Sequence, residues 1–385
     1  MPIYNEVTLA KELIRFPSIT PRDAGVMKYL AKKLTLIGFK CEILEFKEKN
    51  SKPVKNLYAK IGNMGSNFMF AGHLDVVPPG DLKKWIFKPF NPNIKKGHLI
   101  GRGANDMKGA IASWVAAVSR FISKNKKFNG SISLLITGDE EGIAINGTKK
   151  MVEYLKKRKE KIDFCLVGEP TNPNKLGEMI KIGRRGSITG HLDIVSVSGH
   201  VAYPHLANNA SDTIIKILKR LKEIKFDKGT KDFQPTNLEI TKINIDNSAD
   251  NVIPGAARAS FNIRFNNKHS SNSLKKKLNL IFKNLAKKNK CGYNIKYMVS
   301  GEAFLTKPNK TTYMIQSIIK DITKIKPKLS TTGGTSDARF IKKISPCLEF
   351  GLVGANMHKV NESTSLFDLK RLTVIYSSIL ENYFK

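Results

Sequence analysis

The chain has 385 residues, 41% of them hydrophobic and 25% charged, with 66 basic against 32 acidic side chains. That balance fits a soluble globular protein large enough for two cores and excludes a disordered or fibrous polymer. The first residues carry no basic segment followed by an unbroken apolar stretch, and no run of about 18 apolar residues occurs. Neither secretion nor membrane insertion is expected, which points to the cytoplasm.

A formal charge of +34 suits nucleic acid or the steering of anionic substrates. The lysines, however, recur on the polar sides of helical repeats such as KKLTLIGFK and KILKRLKEIK. Solvated faces account for them, and no nucleic-acid partner is expected. Cys41, Cys165, Cys291 and Cys347 show no C-x-x-C spacing, which argues against a thiolate metal site and against a disulfide framework.

Leu9, Leu13 and Ile14, then Met27, Leu30, Leu34 and Ile37, stand at helical spacing, and Pro17 and Pro21 interrupt the chain between them. Two helices flanking a loop are expected. Next come apolar runs that end in turn residues, CEILEF, NLYAKIG, NFMFAGHLDVVPPG, SISLLITGDEEG and DFCLVGEPT, separated by helical patterns near 111–123 and 148–157. This alternation predicts an α/β sandwich. From residue 183 the texture changes to a strand (SITGHLDIVSVSG), a helix (210–224), two strands (NLEITKINI and AARASFNIRF) and a helix (273–288). The order predicts a compact α+β unit, 183–293, inserted into a discontinuous α/β domain of 1–182 and 294–385.

The chemistry-bearing residues cluster where the apolar runs end, the place where an open α/β sheet leaves a crevice. His73 and Asp75 stand two apart on an extended segment and so share a face. They read either as a metal ligand with its carboxylate clamp or as a satisfied surface histidine. Asp106 follows the glycine-rich GRGAN and precedes an apolar helix; its two oxygens can each hold one cation, and the turn has neither the Walker nor the dinucleotide spacing. Asp139, Glu140 and Glu141 are three adjacent acids, either a solvated turn or a cluster whose repulsion a cation relieves. Glu169 ends another apolar run, and His358 adds a second imidazole late in the chain.

Such a mixed nitrogen and oxygen set suits zinc and related divalent ions. It holds more donors than one zinc needs. Two ions bridged by one carboxylate would use them and leave one acid free as a general base.

Together with KIGRRGSITG, SGHVAYPHLANN, NVIPG, NIRF, TTGGTSDARF and HKVNE, these stretches resemble the co-catalytic zinc amidohydrolases over nearly the whole chain. Within that family the GRRGS, NVIPG and TTGGTSD stretches are similar to the desuccinylases rather than to acetylornithine deacetylases or related peptidases. The resemblance implies a zinc-exopeptidase-like α/β catalytic domain with an inserted ferredoxin-like α+β dimerisation domain. It also implies a homodimer with two divalent ions per subunit, zinc first and cobalt as the alternative. His73 and Glu169 are then ligands of one ion, Glu141 and His358 of the other, and Asp106 of both. Asp75 orients His73, and Glu140 is the general base.

By the same resemblance His200 hydrogen-bonds the oxyanion from the partner subunit. Arg184, Ser187, Asn251, Arg264 and the Gly333-Gly334-Thr335 turn contact a small anionic substrate derived from an amino acid. The implied reaction is hydrolysis of N-succinyl-LL-2,6-diaminopimelate to succinate and LL-2,6-diaminopimelate. The family often has two asparagines before Val-Ile-Pro, whereas this chain has Asp250 and Asn251, which leaves Asp250 without an assigned contact.

Overall fold

Residues 1–247 and 249–385 are described by a computed structural model. They divide into two compact units: Met1–Ile182 with Thr306–Ser330 and Ser336–Lys385, and Gly183–Leu305 with Thr331–Thr335. Among the described residues no helix is long and apolar enough to cross a membrane.

The first unit is built on an eight-stranded mixed sheet. Its order is Lys40–Phe46, Val54–Ile61, Ser131–Thr137, Asn67–His73, Phe164–Val167, Cys347–Glu349, Met179–Lys181 and Lys328–Ser330. Four neighbouring strands, from Ser131–Thr137 to Cys347–Glu349, run parallel. Every residue of Asn67–His73 and Ser131–Thr137 is buried, as expected of parallel strands covered on both faces. Parallel strands share one direction, so the loops after all four leave the sheet at the same edge.

Helix Lys108–Lys124 is buried along most of its length, which its sequence of Ala, Ile, Val and one Trp permits. Trp114 stacks on Phe70 with ring centroids 4.7 Å apart, and Tyr376 of the helix Leu366–Tyr383 meets it edge-on at 5.4 Å. The Tyr376 hydroxyl donates to the Phe350 carbonyl at 2.8 Å, so this large ring system is buried with its polar tip satisfied.

The second unit is a four-stranded antiparallel sheet in the order Asn237–Asn244, Ala256–Phe265, Gly186–Val195 and Gly292–Gly301. Helices Ala210–Lys222 and Ser271–Lys288 pack on it. Ile188, Leu192, Ile194, Phe261, Ile263 and Phe265 form one wall of the core, and Ile214, Ile217, Leu274, Leu278 and Phe282 come from the helices. The order strand, helix, strand, strand, helix, strand is ferredoxin-like. The boundary differs from the expected residue 293: Gly292–Gly301 pairs along its length with Gly186–Val195, and the unit runs to Leu305. As an edge strand with no fully buried residue, GYNIKYMVSG lacks the apolar run that marks the others.

Candidate metal centre

His73 is the last residue of its strand, and Glu140, Glu141 and Glu169 follow two neighbouring strands. Asp106 and His358 come from longer loops. The Nε2 atom of His73 lies 3.1 Å from Oδ1 of Asp106 and 3.9 Å from Oε1 of Glu169. The Nε2 atom of His358 lies 3.1 Å from Oδ2 of Asp106 and 2.8 Å from Oε1 of Glu141. Each oxygen of Asp106 therefore faces a different imidazole. Donor atoms of His73, Asp106 and Glu141, and separately of His73, Glu140 and Glu169, lie within 4.8 Å of one another.

Two glycines let Asp106 reach this place. A Cβ on Gly72 would lie 2.5 Å from Cε of Met107, and one on Gly168 would lie 2.7 Å from the same atom and 2.4 Å from the Phe70 ring. Met107 thus fills the space that side chains on the two strands would occupy, and its neighbour Asp106 is carried over the strand ends. The Trp114 stack holds the following helix on the same strand.

Asp75 touches His73 differently from the expected carboxylate clamp. His73 Nδ1 donates to the Asp75 carbonyl at 2.9 Å, whereas the Oδ1 of its carboxylate stands 3.7 Å away. A carbonyl only accepts, so Nδ1 carries the hydrogen and Nε2 is the atom turned toward the acids. The Asp75 carboxylate instead accepts the backbone N–H groups of Glu140 at 3.2 Å and Glu141 at 3.0 Å. Asp139 secures the far side of that turn by accepting the N–H groups of Ile145 and Asn146.

The charges fit a cation. Burial, then the Glu169 charge, pushes the Glu140 carboxyl well above the usual range. Burial also raises Asp75, to about 6, against the opposing pull of His73 and of the two backbone N–H groups. For Asp106 burial acts upward, but hydrogen bonds from both histidines outweigh it and hold the group well below its ordinary value. Bonds to Asp106 and Glu141 raise His358 to about 10. Burial works against a charged His73, yet its bond to Asp106 and the surrounding acids raise it well above normal. The surrounding acids thus favour the protonated form of both imidazoles; divalent ions in that place would leave the rings neutral ligands.

Residues 69–382 match the sequence profile of peptidase family M20/M25/M40. The chain belongs to this family. It is 77% identical over 384 residues to a succinyl-diaminopimelate desuccinylase of Pelagibacter ubique, with 100% of both chains covered. Its fold is similar to that of aminopeptidase PepT from Bacillus cereus, with a TM-score of 0.80, 19% identity and all of both chains covered. It is also similar to that of a dinuclear metal-binding M20 peptidase from Bacillus subtilis, with a TM-score of 0.69, 12% identity, and 99% and 98% of the two chains covered. Membership makes the chain a hydrolase of an amide-cleaving family, and its donor set fits a dinuclear metal centre.

The other residues expected at the M20 site lie in the second unit. Arg184 is buried and donates to the Gly334 carbonyl at 3.3 Å. Gly333 has a φ of 103°, and a Cβ there would meet Nη1 of Arg184 at 2.6 Å, so the turn reaches the guanidinium only because residue 333 is glycine. Thr335 continues that turn. Ser187 and Arg264 are cross-strand partners, and both are hydrogen-bonded to Asn262. His200 is exposed, its Nδ1 accepting the Ala202 N–H, and it pairs with Val252 beside Asn251. His269 is tied to Asp227, while His98 and His191 sit at exposed positions, bonded to the Lys96 carbonyl and to the cross-strand Ser260 hydroxyl.

Sequence reasoning passed over Arg102 and Glu362, a buried pair that touches the backbone on both sides of the centre. The signal was present, since each stands in a stretch that carries the family resemblance, GRGAND and HKVNE. It also passed over Lys108, fully buried, lowered by burial to about 7, and donating to the Phe16 carbonyl.

Proposed function

We propose that the chain hydrolyses N-succinyl-LL-2,6-diaminopimelate to succinate and LL-2,6-diaminopimelate, as a cytoplasmic homodimer with two zinc ions per subunit. The observation that carries this reading is the position of Asp106 between His73 and His358, in a chain similar along its whole length to a succinyl-diaminopimelate desuccinylase. His73 and Glu169 would hold one ion, Glu141 and His358 the other, and Asp106 both. When bound, the ions supply Lewis acidity toward the amide carbonyl and lower the pKa of water.

Glu140 takes the proton from the attacking water and returns it to the leaving amine. Its partial burial among other acids suits a group that must both accept and release a proton near neutral pH. Asp75 holds Glu140 in place by its backbone and fixes the hydrogen of His73 on Nδ1. Arg184, Ser187, Asn251, Arg264 and the Gly333-Gly334-Thr335 turn bind the substrate, whose carboxylates match guanidinium and N–H donors.

His200 serves the partner subunit by donating to the oxyanion. Val195, Val197, Val201, Tyr203 and Leu206, near it in the sequence, are all exposed, and exposed apolar side chains there support a homodimer. Parallel assays with succinyl-diaminopimelate and acetylornithine, on protein of measured metal content, test the reading. A kcat/KM higher for succinyl-diaminopimelate, with two ions bound, is expected; a preference for acetylornithine overturns it.

A further inference from the structure

Arg102 and Glu362 are 1% and 0% exposed and form an ion pair with Nη1 2.7 Å from Oε2. A buried pair of this kind gains little stability over an apolar replacement, so its contacts indicate what it is for. The other Glu362 oxygen accepts the backbone N–H groups of Asn105 at 2.9 Å and of Asp106 at 3.0 Å. The Arg102 guanidinium also donates to the carbonyls of Pro78, Lys359 and His358, at 3.2, 3.2 and 3.3 Å. A third tie runs from the Asn105 side chain to Asn356 at 3.1 Å.

Apart from the bond to Pro78, these contacts join the turn carrying Asp106 to the segment carrying His358. His358 itself has a φ of 64°, a left-handed conformation that a non-glycine residue keeps only when its surroundings hold it. The Arg102 bond to its carbonyl is one such hold.

We propose that Arg102, anchored by Glu362, is a positioning residue for the His358 half of the centre, setting the affinity of the ion held by Glu141 and His358 while leaving the His73 and Glu169 ion nearly unchanged. The inference rests on the two-ion reading above. Arg102→Lys tests it, because lysine keeps the charge opposite Glu362 but cannot fork to several carbonyls at once. Calorimetric zinc titration of the metal-free protein, with its Tm measured alongside, should show two affinities in the wild type. In the variant one affinity should fall about 10- to 100-fold and the other stay within about 3-fold, as for loss of a group that orients a ligand.

Assignment of the weakened site comes from His358→Ala, which should remove that same affinity. Equal weakening of both sites, or no change in either, overturns the proposal. Should Arg102→Lys not fold, Asn105→Ala cuts the third tie and carries the same test: a selective loss of the His358 ion supports the role, and two unchanged affinities overturn it. A wild-type chain that takes up a single ion overturns the two-ion reading itself, and that result is visible before any substitution is made.

Discussion

Asp75 meets His73 through its backbone carbonyl, 2.9 Å from Nδ1, and spends its carboxylate on the N–H groups of Glu140 and Glu141. The aspartate side chain thus acts on Glu140, the proposed base, and on Glu141, a proposed ligand, more than on His73. Asp75→Asn keeps the carbonyl but turns an amide NH2 toward a backbone N–H. Both zinc ions should still bind, while kcat falls on the order of 10- to 100-fold because Glu140 is displaced. Metal analysis and steady-state kinetics on one preparation check this; loss of metal with unchanged kcat per bound pair would place Asp75 back on His73.

Glu140→Gln preserves shape and removes the proton acceptor. The variant should bind both ions and lose about 10²-fold or more in kcat. Near-normal turnover in the fully metallated variant would assign the base elsewhere.

Asp106→Ala should impair both ions, whereas Glu169→Ala and His358→Ala should each weaken mainly one, since the two oxygens of Asp106 each lie 3.1 Å from a different imidazole. Zinc titration separates the cases. Single-site losses of equal size in all three variants would refute a shared carboxylate.

In the metal-free protein hydrogen bonds to Asp106 and Glu141 raise the His358 pKa to about 10, so that ring is protonated at pH 8. A ligating ring must be neutral, so binding of the ion that His358 holds should expel about one proton from that ring. The sign follows: the raised pKa makes the apparent metal affinity climb with pH until the ring has titrated, at about 10. Titrations at pH 8 in buffers of different ionisation enthalpy measure the protons released, and a value near zero would contradict the charged metal-free state.

Mixing Glu140→Ala with His200→Ala tests the cross-subunit histidine. If His200 serves the partner, one site of the heterodimer carries both lesions and the other carries none. Random re-assortment then restores up to about a quarter of wild-type activity. No recovery above the separate variants, with subunit exchange confirmed by mass spectrometry, would show that the cross-subunit role is wrong.

Much of the centre was legible in the sequence because most of its residues end an apolar run: His73, Glu140, Glu141 and Glu169 lie where a strand stops and a turn begins. Asp106 and His358 were found by residue type and by family resemblance. Arg102 and Glu362 stand in the GRGAND and HKVNE stretches, but they are 260 positions apart and nothing in their residue types pairs them until folding buries them together. The Asp75 carbonyl contact was hidden for another reason, since every residue has a carbonyl and side-chain identity says nothing of where it points. The Gly292–Gly301 strand escaped because a half-exposed edge strand does not need a continuous apolar run.

The strand Cys347–Glu349 lies between Phe164–Val167 and Met179–Lys181 in the finished sheet. During synthesis the two flanking strands leave the ribosome well over a hundred residues before the one that joins them. The growing chain therefore carries an open seam in the middle of its largest sheet, with unpaired backbone groups of the sort that invite pairing with another chain. The same late segment carries His358, so the strand that closes the seam and this candidate ligand are synthesised together. A nascent chain stalled before residue 347 would be prone to aggregate.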